Sequence, residues 1–140
     1  TEIGGILGLN QLKRLDENCK RRTENFQRFL NGIDTSRYRT DFKLEGSSNY
    51  AFNLILTHPD DDFVNRLMQK MRSEGVEFRR GSAGGGNQLR QPYLQGLIPP
   101  NHHLEFPEVE HIHFYGFYLG NFPNLKATEI DELCVILNSV

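Results

Sequence analysis

Hydrophobic residues recur at helical spacing over the first part of the chain. From Glu2 to about Leu30 the pattern is that of an amphipathic helix, with charged and amide residues between the apolar positions. Its apolar stripe consists of Leu12, Leu15, Cys19, Phe26 and Leu30. Asn31 and Gly32 are typical of a left-handed helix end. A helix from Glu2 to about Leu30 would be roughly 40 Å long, which predicts that residues 1–32 form a long connecting helix between two domains.

Period-two alternation follows in the rest of the chain. It predicts strands at Asn49–Thr57 and His111–Leu119, a shorter strand at Val76–Arg79 and a short edge strand at Phe42–Leu44. Between the first two long runs, an acidic segment after His58 predicts the start of a helix that Gly75 ends. The apolar stripe of that helix is Phe63, Val64, Leu67, Met68 and Met71, and that of the last helix is Ile130, Leu133, Cys134 and Leu137.

These elements predict the fold class. Strand, helix and strand over the middle of the chain indicate a βαβ unit or its split variant. We therefore expect residues 33–140 to form a small α+β domain, in which helices cover a mixed or antiparallel sheet of three to four strands.

Composition narrows the function classes. The 140 residues suit one compact domain, and 37% hydrophobic with 24% charged residues are ordinary for a globular protein. The net charge of -2 argues against a general nucleic-acid binder. No apolar run is long enough to span a membrane, and no signal peptide opens the chain, so we expect a cytoplasmic protein. The first residue is not Met, which predicts a fragment of a longer polypeptide.

Metal and catalytic motifs are weak. His111 and His113 share a strand face in the predicted alternation, but no zinc motif completes them. No nucleophile stands in a Gly-x-Ser-x-Gly setting, so the sequence offers no catalytic residue. Cys19 and Cys134 are predicted to be buried free thiols, with one disulfide left open as the alternative.

The candidate binding site is the glycine-rich loop that follows the Val76–Arg79 strand. Gly84, Gly85 and Gly86 let a backbone approach a ligand closely. The planar polar groups after them can grip a carboxylate, a phosphate or a sugar. The predicted substrate-binding residues are Gly85, Gly86, Asn87, Arg90, Gln91 and Tyr93, with Arg90 foremost because its planar fork matches an anion. An ordinary flexible hairpin is the alternative.

The chain also resembles a known family. Thr1-Glu2-Ile3, then Gly8-Leu9, and then Gln11-Leu12-Lys13-Arg14-Leu15-Asp16 are similar to a segment of the DegT/StrS nucleotide-sugar aminotransferases and dehydratases. The family usually has alanines where this chain has Gly4-Gly5-Ile6. Gly84–Pro92 and Gly116–Asn121 look most like the subgroup of 3-dehydratases that act on keto-deoxysugar nucleotides.

The resemblance implies the C-terminal small domain of a homodimeric fold-type-I enzyme that uses pyridoxal phosphate (PLP) or pyridoxamine phosphate (PMP). Its substrates would be a nucleotide-activated keto-deoxysugar and an amino donor such as glutamate, in deoxysugar biosynthesis for surface polysaccharide. The cofactor-anchoring position, Lys or His in the family, would lie before Thr1, so these residues alone would be inactive. A sugar aminotransferase domain and a non-catalytic α+β binding or dimerisation module remain the alternatives.

Overall fold

The chain folds as an α+β domain. A computed structural model describes residues 1–84 and 86–140, which form five α-helices and one three-stranded antiparallel sheet. The α+β class and the small sheet were predicted from the sequence. The first half contains α1 (Glu2–Leu12), α2 (Leu15–Gly32), β1 (Ala51–Ile55), α3 (Asp61–Ser73) and β2 (Phe78–Arg80). A stretch of short 3-10 turns then precedes α4 (Pro107–Tyr115), β3 (Gly116–Gly120) and α5 (Ala127–Asn138).

The sheet has the order β1-β3-β2 and is antiparallel. Because β1 and β2 both run opposite to β3, they are parallel to each other with β3 between them. The unit β1-α3-β2 is therefore the split variant of the βαβ motif that the sequence left open. In this register Tyr118 of β3 lies between Asn53 of β1 and Arg79 of β2.

One hydrophobic core lies between the sheet and three helices. The side chains at alternate positions of the strands, such as Phe52 and Leu119, point toward α2, α3 and α5. The helices contribute Phe26, Phe29, Leu30, Phe63, Val64, Leu67, Met71, Ile130, Cys134 and Leu137. Because α2 contributes to this core, it packs as part of the α+β fold. The boundary at residue 32 between a connecting helix and a small domain stays a prediction.

The predicted single helix over residues 1–32 is interrupted. α1 ends at Leu12, where the amide of Arg14 donates to the carbonyl of Gln11 at 3.0 Å, and α2 begins at Leu15. Asp16 and Glu17 favour a new helix start because their charges interact with its amino-terminal dipole. No side chain of α1 is buried within the described part of the chain, so no packing forces one straight helix.

The end of α2 also differs from expectation. Gly32 is the last helical residue and Ile33 is extended, so no left-handed turn ends this helix. A Cβ atom at Gly32 would lie 2.7 Å from Sγ of Cys134 on α5. The glycine is needed there because α2 and α5 pack closely. Both cysteines are free thiols, as predicted, but only Cys134 is buried, whereas Cys19 is partly exposed.

Two strand predictions were wrong. Residues 111–115 are helical, and β3 begins only at Gly116. Pro107 occupies the first turn of α4 together with two acidic residues, which is a helix-start signal that outweighed the alternation. The expected edge strand at Phe42–Leu44 is absent from the described structure, where Tyr38 instead forms an isolated bridge with Leu56.

The middle of the chain follows the prediction closely. β1 lies inside the predicted strand, and the Asp60 side chain caps α3 by accepting from the amide of Phe63 at 2.8 Å. Gly75 ends that region with a φ of 71°. The glycine-rich loop consequently begins at the end of β2, at one edge of the sheet.

Candidate functional site

The glycine-rich loop folds back on its own domain. The amide of Gly86 donates to the carbonyl of Gly81 at 2.8 Å. A Cβ atom at Gly84 would lie 2.7 Å from the carbonyl carbon of Arg79, and one at Gly86 would lie 2.4 Å from Nδ1 of His113. Glycine is thus required here for close packing within the domain. Gly85, also a predicted site residue, lies outside the described residues.

The side chain of Asn87 stabilises this loop through hydrogen bonds within the domain. Its side chain is buried, and the residue is only 2% exposed. Its amide group donates to the carbonyl of His103 at 3.1 Å and to Oε1 of Glu110 at 2.7 Å. Its Oδ1 accepts from the amide of Leu89 at 3.0 Å. These bonds tie the loop to α4 and to the turn before it.

Arg90 forms a two-pronged ion pair with Glu110 of α4. Its Nε and Nη2 donate to Oε1 and Oε2 at 2.8 and 2.6 Å, with 29% of the Arg90 side chain and 14% of the Glu110 side chain exposed. The guanidinium also lies 4.8 Å from the centre of the Phe114 ring. Donation from Arg90 and Asn87 lowers the pKa of Glu110 against the opposing effect of its burial. The fork that was predicted to hold a substrate anion therefore already holds a carboxylate of the protein.

His113 completes this network. Its Nδ1 accepts from the backbone amide of Asn87 at 3.0 Å, which requires that nitrogen to be unprotonated. Burial and the nearby positive charge of Arg90 lower the pKa of His113. A neutral ring is thereby favoured, and it fixes the backbone at the position where the polar side chains of the loop begin.

The two remaining predicted site residues lie further out. Gln91 is partly buried, whereas Tyr93 is exposed and its hydroxyl contacts the side-chain amide of Gln88. The structure therefore places Asn87 and Arg90 together, with Tyr93 apart on the surface.

The sequence reasoning missed Glu110 and His113 as partners of the loop. It gave Glu110 no role in the site and placed His113 on a strand face shared with His111. The helix-start signal at Pro107 would have put Glu110 and His113 on adjacent positions of a helical surface, since residues three apart are neighbours there. His111 instead contacts the carbonyl of Leu56 through Nε2 at 2.6 Å.

A groove lies on the sheet face opposite the core. Its volume is about 550 Å³, and Ala83 and Gly84 of the glycine-rich loop form part of its wall. The cross-strand row of Asn53, Tyr118 and Arg79 lines its floor. This arrangement puts polar and aromatic side chains beside the loop, on the face that the helices leave open.

Comparisons with known proteins agree with this fold. The profile of the DegT/DnrJ/EryC1/StrS aminotransferase family matches residues 1–138. GDP-4-keto-6-deoxy-D-mannose 3-dehydratase of Escherichia coli O55:H7 is 25% identical over 137 residues, which are 97% of this chain and 35% of that protein.

Solved structures give the same result. Two structures of GDP-4-keto-6-deoxymannose 3-dehydratase match with a TM-score of 0.82 at 25% identity, over 97% of this chain and 35% of theirs. One is the E. coli enzyme with bound hydrated PLP, and the other contains a trapped PLP–glutamate geminal diamine. An aminotransferase of Psychrobacter cryohalolentis has the same fold, with a TM-score of 0.73 at 21% identity over 96% of this chain and 37% of that one. The chain thus spans about a third of the length of these relatives.

Proposed function

Because the chain belongs to the DegT/DnrJ/EryC1/StrS aminotransferase family, we propose that it is the C-terminal α+β domain of a nucleotide-sugar 3-dehydratase that depends on PLP or PMP. The observation that carries this proposal is the match to the dehydratase over 97% of the chain at a TM-score of 0.82. The enzyme would remove the 3-hydroxyl of a nucleotide-activated keto-deoxysugar, with glutamate as amino donor, on the way to a surface polysaccharide.

The lysines of this chain do not fit the anchoring of the cofactor through a Schiff base. An amine that forms a Schiff base at neutral pH needs a buried setting that lowers its pKa. Lys70 pairs with Glu74 at 2.8 Å, and the other lysines are exposed: Lys13, Lys20, Lys43 and Lys126. We therefore assign anchoring and the chemical step to the part of the enzyme that the relatives have in addition to this domain.

The chain's own contribution would be to hold and orient substrate. Asn87, Glu110 and His113 fix the backbone of the glycine-rich loop, and Arg90 and Tyr93 stand at its surface. Nη1 of Arg90 makes no hydrogen bond within the described residues, so the guanidinium retains an edge for a substrate oxygen. We propose that Gly85, Gly86 and Gln91 also contact the substrate.

Helix α1 supports an assembly larger than this domain. It exposes a row of apolar side chains that a lone domain has no reason to present to water: Ile3, Ile6, Leu7, Leu9 and Leu12. We propose that this helix packs against the remainder of the enzyme in a homodimer. No helix within the described residues is long and apolar enough to cross a membrane. A cytoplasmic location is part of the same proposal.

The experiment uses the full-length gene product and the isolated 140-residue chain. Each is incubated with PLP, glutamate and GDP-4-keto-6-deoxymannose, and the sugar product is analysed by mass spectrometry. We expect loss of the 3-hydroxyl oxygen with the full-length protein and no turnover with the isolated chain. Replacement of the keto oxygen by an amine would favour an aminotransferase, the second candidate, which the shared fold of the P. cryohalolentis enzyme supports. Absence of any cofactor-dependent product from the full-length protein would refute both.

A further inference from the structure

The open face of the sheet carries an exposed arginine, Arg79. Among the described residues, the guanidinium of Arg79 forms no ion pair or hydrogen bond, and it lies 6.0 Å from the centre of the Tyr118 ring. The Tyr50 ring lies 5.4 Å from that of Tyr118, so the arginine and the two phenols form one continuous surface. An aromatic ring supports a cation without consuming its hydrogen-bond donors. The donors of Arg79 thus remain available to a ligand.

A second arginine, Arg22 of α2, lines a cavity next to this groove. Beside the 550 Å³ groove is a cavity of about 380 Å³ that shares Tyr50, Arg79 and Tyr118 with it and is also lined by Arg22 of α2. Nε of Arg22 is buried and has no partner within the described part of the chain. That atom is closed to solvent, so the donors available to a ligand are the terminal Nη1 and Nη2 groups, which form no hydrogen bond or ion pair within the described residues.

The backbone holds Arg22 in place. Its carbonyl accepts from Nδ2 of Asn121 at 2.8 Å, and the same amide nitrogen bonds the carbonyl of Asn49 at 2.7 Å. Asn121 is buried, so this turn of α2 is fixed relative to the ends of β1 and β3. The position of Arg22 is therefore a property of the folded core.

The charge of the cavity favours an anion. Its charged lining residues are Arg22, Arg79 and Glu77, so two guanidinium groups outnumber one carboxylate. Burial raises the pKa of Tyr118, which keeps its hydroxyl as a neutral donor rather than a repelling phenolate.

We propose that Arg22 and Arg79 form a binding site for a pyrophosphate group in the 380 Å³ cavity, with Tyr50 and Tyr118 beside it. Planar guanidinium forks match phosphate oxygens in pairs, and two forks match the two phosphates of a pyrophosphate. This cavity suits the ligand better than the glycine-rich loop does, because Glu110 already occupies two nitrogens of Arg90. Assigning the group to a nucleotide-sugar rests on the proposed function, whereas binding of pyrophosphate itself does not.

The test is calorimetric titration of the 140-residue chain with inorganic pyrophosphate and with GDP. We expect saturable binding of pyrophosphate and a loss of about tenfold or more in Arg79→Gln, since one paired contact to an anion is lost. Arg66→Gln is the matched control because it removes the same charge from an exposed position on α3, behind the core. It should leave the affinity unchanged.

Arg22→Lys addresses the second arginine. It retains the positive charge and removes the fork, so we expect weaker binding with an unchanged melting temperature. If this variant fails to fold, Arg79→Gln and its control still decide the question. No saturable binding up to about 10 mM, well above a Kd of about 1 mM, would overturn the proposal. Equal affinities of Arg79→Gln and Arg66→Gln would overturn it as well.

The two ligands distinguish the sources of the pyrophosphate. Tighter binding of GDP, lost selectively in Tyr50→Leu, supports a nucleotide whose base or ribose contacts the exposed phenol ring. Equal binding of both ligands supports a site for the pyrophosphate group alone. Because the assay needs neither cofactor nor turnover, its failure is separable from failure of the dehydratase proposal.

Discussion

The ion pair between Arg90 and Glu110 permits a quantitative test of the glycine-rich loop. Two charge-assisted bonds of 2.8 and 2.6 Å join the side chains, and each such bond can contribute about 1.5–3 kcal/mol when buried. Solvent reaches 29% of the Arg90 side chain, and exposed pairs contribute no more than about 1 kcal/mol. Between these limits, we expect a coupling energy of about 2 kcal/mol.

The assay is a double-mutant cycle in urea unfolding with Arg90→Met, Glu110→Gln and the double variant. Arg28 and Asp131 are the matched control, because they form the same two-pronged geometry at 2.8 and 2.6 Å with 48% and 54% of their side chains exposed. We expect the control pair to couple more weakly. A coupling between Arg90 and Glu110 below about 0.5 kcal/mol, the usual error of additivity, would refute the reasoning, as would equal coupling in the two pairs.

The same pair predicts a pH dependence. The hydrogen bonds from Arg90 hold the pKa of Glu110 below its usual value, so the folded state binds its proton more weakly than the unfolded state does. The stability from this carboxylate is present above the unfolded pKa of about 4.3 and is lost as the pH falls through the folded pKa. Unfolding free energies of the parent and Glu110→Gln should converge in acid. A difference that stays constant from neutral to strongly acidic pH would contradict the assignment.

Two further predictions concern packing. Gly86→Ala should destabilise the protein by about 1–3 kcal/mol and shift the ring resonances of His113, because the new methyl group would lie 2.4 Å from Nδ1. The control Gly5→Ala, where the added methyl group has no described atom within 4 Å, should be neutral or stabilising. Equal effects of the two changes on thermal unfolding would argue against the tight packing of the loop. Burial raises the pKa of the Cys134 thiol to about 11, so a thiol reagent at pH 8 should modify Cys19 first and reach Cys134 only on unfolding; equal rates for both thiols in the native protein would contradict the buried position.

Much of the fold followed from local patterns. The stripe of α3, its Asp60 cap and Gly75 at its end lie together in the sequence, and each acts within one or two turns of helix. The alternation of β1 was equally reliable, because one face of that strand is fully covered by helices. The strand prediction for residues 111–115 failed because histidine alternating with apolar residues distinguishes a buried face from an exposed face only weakly. The helix-start signal at Pro107 competed with that pattern.

The candidate site, like the fold, could be predicted from the sequence only in part. The sequence by itself determined where the glycines lie, that polar groups follow them, and that they come at the end of a strand. Only the tertiary structure decided that Glu110 pairs with Arg90 and that Arg22 and Arg79 line one cavity. These partners are brought together by the packing of α4 and α2 against the sheet. Hydrophobic periodicity is a property of neighbouring residues, whereas the partner of a charged side chain depends on which distant element the core places beside it.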